Sequence, residues 1–256
     1  ALFELHHETA SAIEVVRGPA SAKYGSIAVH GLINVIHSGP SGAGLEARAS
    51  ASTLSRYRTD LIADGEALRG ALSIQKDLGW RQFTGVDQQK GSLIGDFALG
   101  GWDATAWLVA SNLNQETADF LQGPKAYRDA DLVETNDDPL AGRDAYSVRA
   151  GARFERELGF GTLVLKPYAI TQEMSFRQHF LPNRSFEENG HDSLGLMTQV
   201  ETEASETVTV RYGADAAWAN GFLIETQAEP FGFFPGDSRF PTGTHYDYDV
   251  DTLTFA

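Results

Sequence analysis

Four of the seven histidines fall early in the chain, at His6, His7, His30 and His37. Imidazole is the side chain most suited to holding a transition metal, so the cluster raises a metal site as the first chemistry to test. Spacing argues against it. His6 and His7 are adjacent and point to opposite sides of an extended segment, and His30 and His37 differ in parity, so neither pair converges. A structural role is the expectation. The run DADLVETNDDP, Asp129 to Pro139, carries five acids but lacks the ordered spacing and closing Glu of a calcium loop. It reads as a solvated loop. The glycines of GPSGAG, Gly39 to Gly44, have no following Lys-Ser/Thr and so make no phosphate loop. No G-x-S-x-G elbow occurs, and Ser, His and Asp are scattered without a nucleophile–base set. With no cysteine, thiolate metal sites and disulfides are excluded. The expectation is a protein without a catalytic centre, metal or cofactor.

The elements that carry the remaining residues follow from composition and period. The chain has 256 residues, 26 Gly, 9 Pro and 11% aromatics, a profile of strands and turns rather than of a helical bundle. Its net charge of −15 argues against nucleic acid, whose binders concentrate Lys and Arg. No run approaches the roughly 18 apolar residues of a membrane helix, which says nothing about barrel strands. The opening ALFELHHETAS lacks the basic start and apolar core of a signal peptide. Without an initiating Met, the chain is expected to be a piece of something longer.

Residues Ile13 to Val16 form a short apolar strand that Gly18 and Pro19 stop, since Pro has no amide proton for a ladder. Pro19 then suits the first position of one helical turn, with Gly25 past its end. After Gly31 comes a second apolar strand, Leu32 to Ile36, and His37 to Gly44 read as a linker. From Leu45 the period becomes two. In AYSVRAGARFE, Tyr146, Val148, Ala150, Ala152 and Phe154 oppose Ser147, Arg149, Gly151, Arg153 and Glu155. In TVTVRYGADAAWA, Val208, Val210, Tyr212 and Trp218 oppose Thr209, Arg211 and Asp215. SLGLMTQVETE sets Leu194, Leu196 and Val200 against Gln199, Glu201 and Glu203. Such alternation marks strands with one apolar and one wet face. Weaker examples run over Leu45–Thr53, Tyr57–Ala63, Leu68–Ile74, Ser92–Leu99, Trp102–Leu113, Leu163–Gln172 and Tyr248–Ala256. Ten strands are expected in all.

The connections choose the architecture. Tight turns fall near Gly65, Gly100–Gly101, Leu158–Gly161 and Ser205. Long joins fall between them at Asp77–Lys90, Gln115–Gly142, Arg177–Asp192 and Asn220–Asp247. A soluble β-sandwich has no reason to place its long loops at one end, whereas a transmembrane β-barrel does. The fold class expected is all-β: an antiparallel transmembrane barrel, partial and open.

The opening stretch IEVVRGPASAKYGSIAVHGLINVI, Ile13 to Ile36, resembles the end of the plug domain of TonB-dependent outer-membrane receptors. The likeness rests on Ile13, Glu14, Val16, Arg17, Gly18, Pro19, Ser21, Tyr24, Gly25, Ala28, Gly31, Ile33, Asn34 and Ile36. His30 departs from it, standing where the family often has Gly. The resemblance implies a plug remnant over residues 1–39 and the first part of a barrel over 40–256. It implies an outer-membrane importer of a scarce nutrient, most often a ferric siderophore, driven by a TonB-type energy-coupling protein whose binding segment is absent here. It also implies no bond chemistry. Soluble carbohydrate- or ligand-binding domains and passive porin-like channels are the alternatives, and a plugged lumen counts against the second. The family's barrel has about 22 strands, so ten imply a fragment: an open curved sheet with Leu45–Thr53 and Tyr248–Ala256 at its edges.

Two site expectations follow. Arg17, a lone guanidinium at the boundary of plug and wall, needs a partner, because an unpaired buried charge is costly. Glu155, Glu201 and Glu203, turned inward by alternation, are the candidates, with Glu14 as an alternative within the plug. The second concerns aromatics of the long loops: Phe180, Phe186, Phe233, Phe234 and Tyr246 are candidates for a ligand-facing surface, against girdle or packing roles.

Overall fold

The structure, a computed structural model, describes residues 2–19, 30–177, 185–227 and 242–255. Two antiparallel sheets carry the chain. The smaller is a hairpin of β1 (Ala12–Arg17) and β2 (Gly31–Ile36), registered from Ala12 opposite Ile36 to Arg17 opposite Gly31. Gly31 is required where it stands. Its φ is +134°, and a Cβ there would lie 2.3 Å from the Val16 carbonyl oxygen, a position open only to glycine. A linker follows, pinned where Ser41 donates from its amide and hydroxyl to the Asp64 carboxylate (2.7 and 2.8 Å).

The larger sheet is a ten-stranded meander. Its strands are β3 (Gly44–Ala51), β4 (Arg56–Asp64), β5 (Leu68–Asp77), β6 (Val86–Leu99), β7 (Trp102–Glu116), β8 (Gly142–Leu158), β9 (Gly161–Arg177), β10 (Phe186–Ser205), β11 (Val208–Gln227) and β12 (Gly243–Phe255). Each pairs with its neighbours in chain order, and β3 and β12 are the two edges. The sheet is open. All ten expected strands are present, and the tight turns fall at one end as expected. Gly100 and Gly101, with φ of +58° and +82°, make the β6–β7 turn, where positive φ at both central residues matches the twist of a hairpin.

Register sorts the side chains into two faces. One inner row runs across seven strands as Asp60, Ser73, Lys90, Ser111, Ser147, Gln172 and His191. An outer row on the opposite face reads Gly70, Leu93, Leu108, Ala150, Ala169, Leu194, Trp218 and Leu253. Leu93, Leu108, Leu194, Trp218 and Leu253 are exposed there. A continuous apolar surface of this kind is not a face that water covers in a stable monomer. On β8 the outward residues from Tyr146 to Phe154 lie between outward Asp144 and Arg156. Those two charges are about 40 Å apart along a strand. A barrel tilt of about 40° reduces that to roughly 30 Å, the thickness of a bilayer's hydrocarbon core. Below the band, the Arg156 guanidinium sits 5.8 Å from the Trp102 ring, an amphipathic pair suited to a membrane–water boundary.

Candidate functional site on the inner face of the sheet

The segment before β1 makes two short 3-10 turns, Leu2–Glu4 and His7–Thr9, and crosses the inner face of the wall. Its alternate residues Glu4, His6 and Glu8 all meet wall side chains. The Glu4 carboxylate is ion-paired with Arg149 of β8. Oriented with its nitrogen toward Glu4, the Gln172 amide donates to both Glu4 oxygens (3.2 and 3.1 Å) and accepts from Nδ1 of His191 (3.2 Å). Glu8 accepts from Nζ of Lys90 at 2.8 Å, with side chains only 6% and 2% exposed. Two ion pairs thus hold this segment to the wall, the Glu8–Lys90 pair buried and the Glu4–Arg149 pair partly so, and removing either partner of the buried pair leaves a buried charge.

His6 lies between them and is fully buried. Its Nδ1 is 2.9 Å from the Ser92 hydroxyl and its Nε2 2.8 Å from that of Ser73. Ser73 in turn donates to Asp60 at 2.5 Å, and Asp60 is held by the Arg58 guanidinium. A hydroxyl has one proton. With Ser73 giving its proton to Asp60, Nε2 of His6 must be the donor to Ser73. Burial disfavours a second proton on the ring, which leaves Nδ1 to accept from Ser92. Burial pushes its pKa down from 6.5 to about 4, and His37 and Lys90 add to the effect against the opposing pull of Glu8 and Asp60. For Glu8, burial works upward, but the Lys90 hydrogen bond, a backbone hydrogen bond and the charges of Lys90 and His7 together outweigh it, and the carboxyl sits below its usual range. His37, whose ring centroid is 6.3 Å from that of His6, is lowered by burial and then by Arg69.

The extended geometry expected for the first pair is replaced by a 3-10 turn: His6 is buried against the wall, and His7, its side chain 38% exposed, keeps its Nδ1 3.4 Å from Nζ of Lys90. Among the described residues no group of three His, Asp or Glu could hold a metal ion. The Arg17 expectation needs correction. Arg17 is exposed at the end of β1 and lines a cleft of about 610 Å³ with Glu4, His30, Leu32 and Arg149. Among the described residues it has no ion pair. The proposed partners are engaged elsewhere or distant: Glu155 pairs with Arg153 and Glu201 with Arg211, while Glu203 stays near the turn end of β10. The alternative partner Glu14 instead accepts from Asn34 at 3.2 Å. The polarity is the reverse of that expected, with acids on the plug side and cations on the wall. The contact is made instead by Glu4, His6 and Glu8, facing Lys90 and Arg149, in a segment of 3-10 turns that gives no period to find it by.

Of the plug-motif residues, Gly18 and Pro19 follow β1, while Tyr24 and Gly25 lie outside the described residues, as do Phe180, Phe233 and Phe234. Phe186 falls on the outward face beside Arg177, whose guanidinium is 5.2 Å from its ring, so it does not face the lumen. Tyr246 shares the inner-facing register with Tyr248, and their rings stack at 5.7 Å. At the end opposite the tight turns, the joins 78–85 and 117–141 are tied together. Arg81 donates to the carbonyls of Asp119 (2.8 Å) and Thr135 (3.1 Å). Asn136 donates to Phe83 and Thr117 and accepts from the amides of Asp119 and Asp138. Trp80, Phe120 and Tyr127 remain exposed on this pair of loops.

The fold is shared with solved outer-membrane proteins. The ferric citrate transporter FecA in its unliganded form matches 96% of this chain with a TM-score of 0.67 at 15% identity. The ferripyoverdine receptor of the outer membrane of Pseudomonas aeruginosa matches 95% at 0.64 and 14%, and the copper transporter OprC 88% at 0.64 and 12%. This is the fold of the TonB-dependent outer-membrane receptors. The chain spans 39%, 38% and 36% of those three proteins, in keeping with a partial barrel. No family model matches the sequence, and no curated protein matches it.

Proposed function

We propose that this chain is part of an outer-membrane receptor that captures a scarce nutrient, most simply a ferric siderophore, and imports it with energy from a TonB-type protein. The observation that carries the reading is the plug hairpin attached to the inner face of an outward-apolar wall, since a plugged lumen suits gated import rather than passive flow. Names of similar solved proteins, among them a ferric citrate transporter and a ferripyoverdine receptor, favour iron chelates within that class. Specificity belongs to the outer joins and the upper face of the plug, with Phe180, Phe233, Phe234 and Tyr246 as the candidate aromatic contacts, in a concave polar-and-aromatic site.

The test is a binding panel on the full-length protein in detergent, using ferric citrate, hydroxamate and catecholate iron chelates, cobalamin and haem. One chelate is expected to bind in the micromolar range or tighter, and its uptake into cells is expected to stop when the inner-membrane proton gradient is discharged. Uptake that continues without the gradient refutes active import. A full-length protein that is soluble without detergent refutes the membrane reading itself.

A further inference from the structure

We propose that Leu2–Thr9 is a latch between plug and wall that acid opens, with His6 as the sensing residue. Its attachment is built almost wholly from titratable or charged groups: Glu4 on Arg149, His6 between Ser73 and Ser92, Glu8 on Lys90. The middle contact is the sensitive one. Because Ser73 is committed to Asp60, Nε2 of His6 carries a proton, and the fully buried ring is neutral as it stands. A second proton, on Nδ1, would place a cation in a site closed to water and beside Lys90.

The neighbours offset that charge only in part. Glu8, on the same segment, is bound to Lys90 of β6, and Asp60 of β4 is bound to Arg58. Lys90 itself and His37 of the linker both oppose a further positive charge. In the released segment the imidazole meets water and titrates normally, near 6.5. The sign follows from linkage. Docked His6 titrates at about 4 and released His6 near 6.5, so below 6.5 the released state binds more protons. Docking is undiminished above that value and weakens as pH falls toward 4. From pH 7.5 to 5.0 the docking constant falls about thirty-fold. Glu8, lowered by Lys90, acts in the same direction at the more acid end.

The latch rests on this chain's own contacts; only its place in import rests on the function proposed above. Hydrogen exchange on the full-length protein in detergent, followed by mass spectrometry and corrected for intrinsic rates, reads it directly. The peptide covering residues 2–11 is expected to lose about thirty-fold protection between pH 7.5 and 5.0, while peptides from β10 and β11 hold theirs. His6→Gln, which keeps a neutral donor, is expected to reduce that loss to under three-fold. Glu8→Gln is expected to retain most of it, since the titrating group remains. If His6→Gln leaves the segment unprotected at both pH values, the wild-type and Glu8→Gln profiles decide. A loss with its midpoint between pH 4 and 6.5 in both supports the latch. Constant wild-type protection, or a loss unchanged in a docked His6→Gln protein, overturns it. A protein that shows the pH-dependent release but takes up no ligand would refute import and leave the latch standing.

Discussion

Lys90 shows how much one inward side chain decides. It is 2% exposed and meets Glu8 at 2.8 Å, on a strand whose neighbouring inner residues are small or polar. Lys90→Met leaves Glu8 buried without a counter-charge, a loss of about 3–5 kcal/mol for a pair broken on one side. Hydrogen exchange of residues 2–9 at pH 7.5 is expected to rise accordingly in the full-length protein. Adding Glu8→Leu is expected to restore most of the protection, because removing both charges is far cheaper than removing one. A double variant no better than the single would show that the pair is not what holds the segment. At this scale the sequence was only half legible. Arg149 stood out on the wet face of β8, whereas the parity argument for His6 and His7 assumed an extended segment that the 3-10 turn replaces. Arg17 drew attention because a lone guanidinium beside a plug motif demands a partner, yet it ends at an exposed strand terminus where water solvates it. The acids that bind the wall stand in a segment broken by 3-10 turns, where no simple period announces which side faces inward.

Elements were more legible than residues, since alternation is a property of many positions together. All ten wall strands were evident, but their outer ends were read short. The strand expected from Ser92 begins at Val86, and the join expected over Arg177–Asp192 gives its last residues to β10. Beyond the apolar band both faces are polar, as in Asp87-Gln88-Gln89-Lys90, so the period-two signal disappears while the ladder continues. Glycines inside the strands have a packing role that the period does not reveal. The Tyr168 ring lies over Gly195 on the inner face, where a Cβ would come within 2.3 Å of it, and Trp107 covers Gly151 in the same way at 2.5 Å. Aromatic rings seated on cross-strand glycines restore contacts that a bare backbone lacks. Gly195→Val is expected to lower stability by about 1–3 kcal/mol through overpacking. Gly91→Ala, whose added Cβ would meet nothing closer than 3.9 Å, is expected to change it by no more than about 0.5 kcal/mol. Thermal melts of the full-length protein followed by circular dichroism compare the two, and equal shifts would exclude the ring-on-glycine account.

For the whole molecule the decisive feature is an edge. A membrane barrel escapes unpaired backbone by closing on itself, because lipid offers no hydrogen bonds to a free amide or carbonyl. Here β3 and β12 each have one neighbour, and the outward face between them carries exposed Leu93, Leu108, Leu194, Trp218 and Phe255. The wall is therefore complete as a surface and incomplete as a barrier. Its longer strands suit a bilayer, while its two edges have no partner strand among the described residues. Plug attachment does not depend on those edges. Glu4, His6 and Glu8 contact β5, β6 and β8, all interior to the sheet, so the plug–wall contact is a local property of the resolved strands. Two consequences separate cleanly. A polypeptide of these residues alone, refolded into detergent micelles, is expected to remain protease-sensitive along β3 and β12 and to aggregate when the detergent is removed, since unpaired edges and an apolar face both recruit other chains. The full-length protein treated in the same way is expected to protect both strands. A stable, protease-resistant particle from the short polypeptide, with β3 hydrogen-bonded to β12 along its length, would instead establish a closed ten-stranded barrel, and the partial-receptor reading would have to be abandoned.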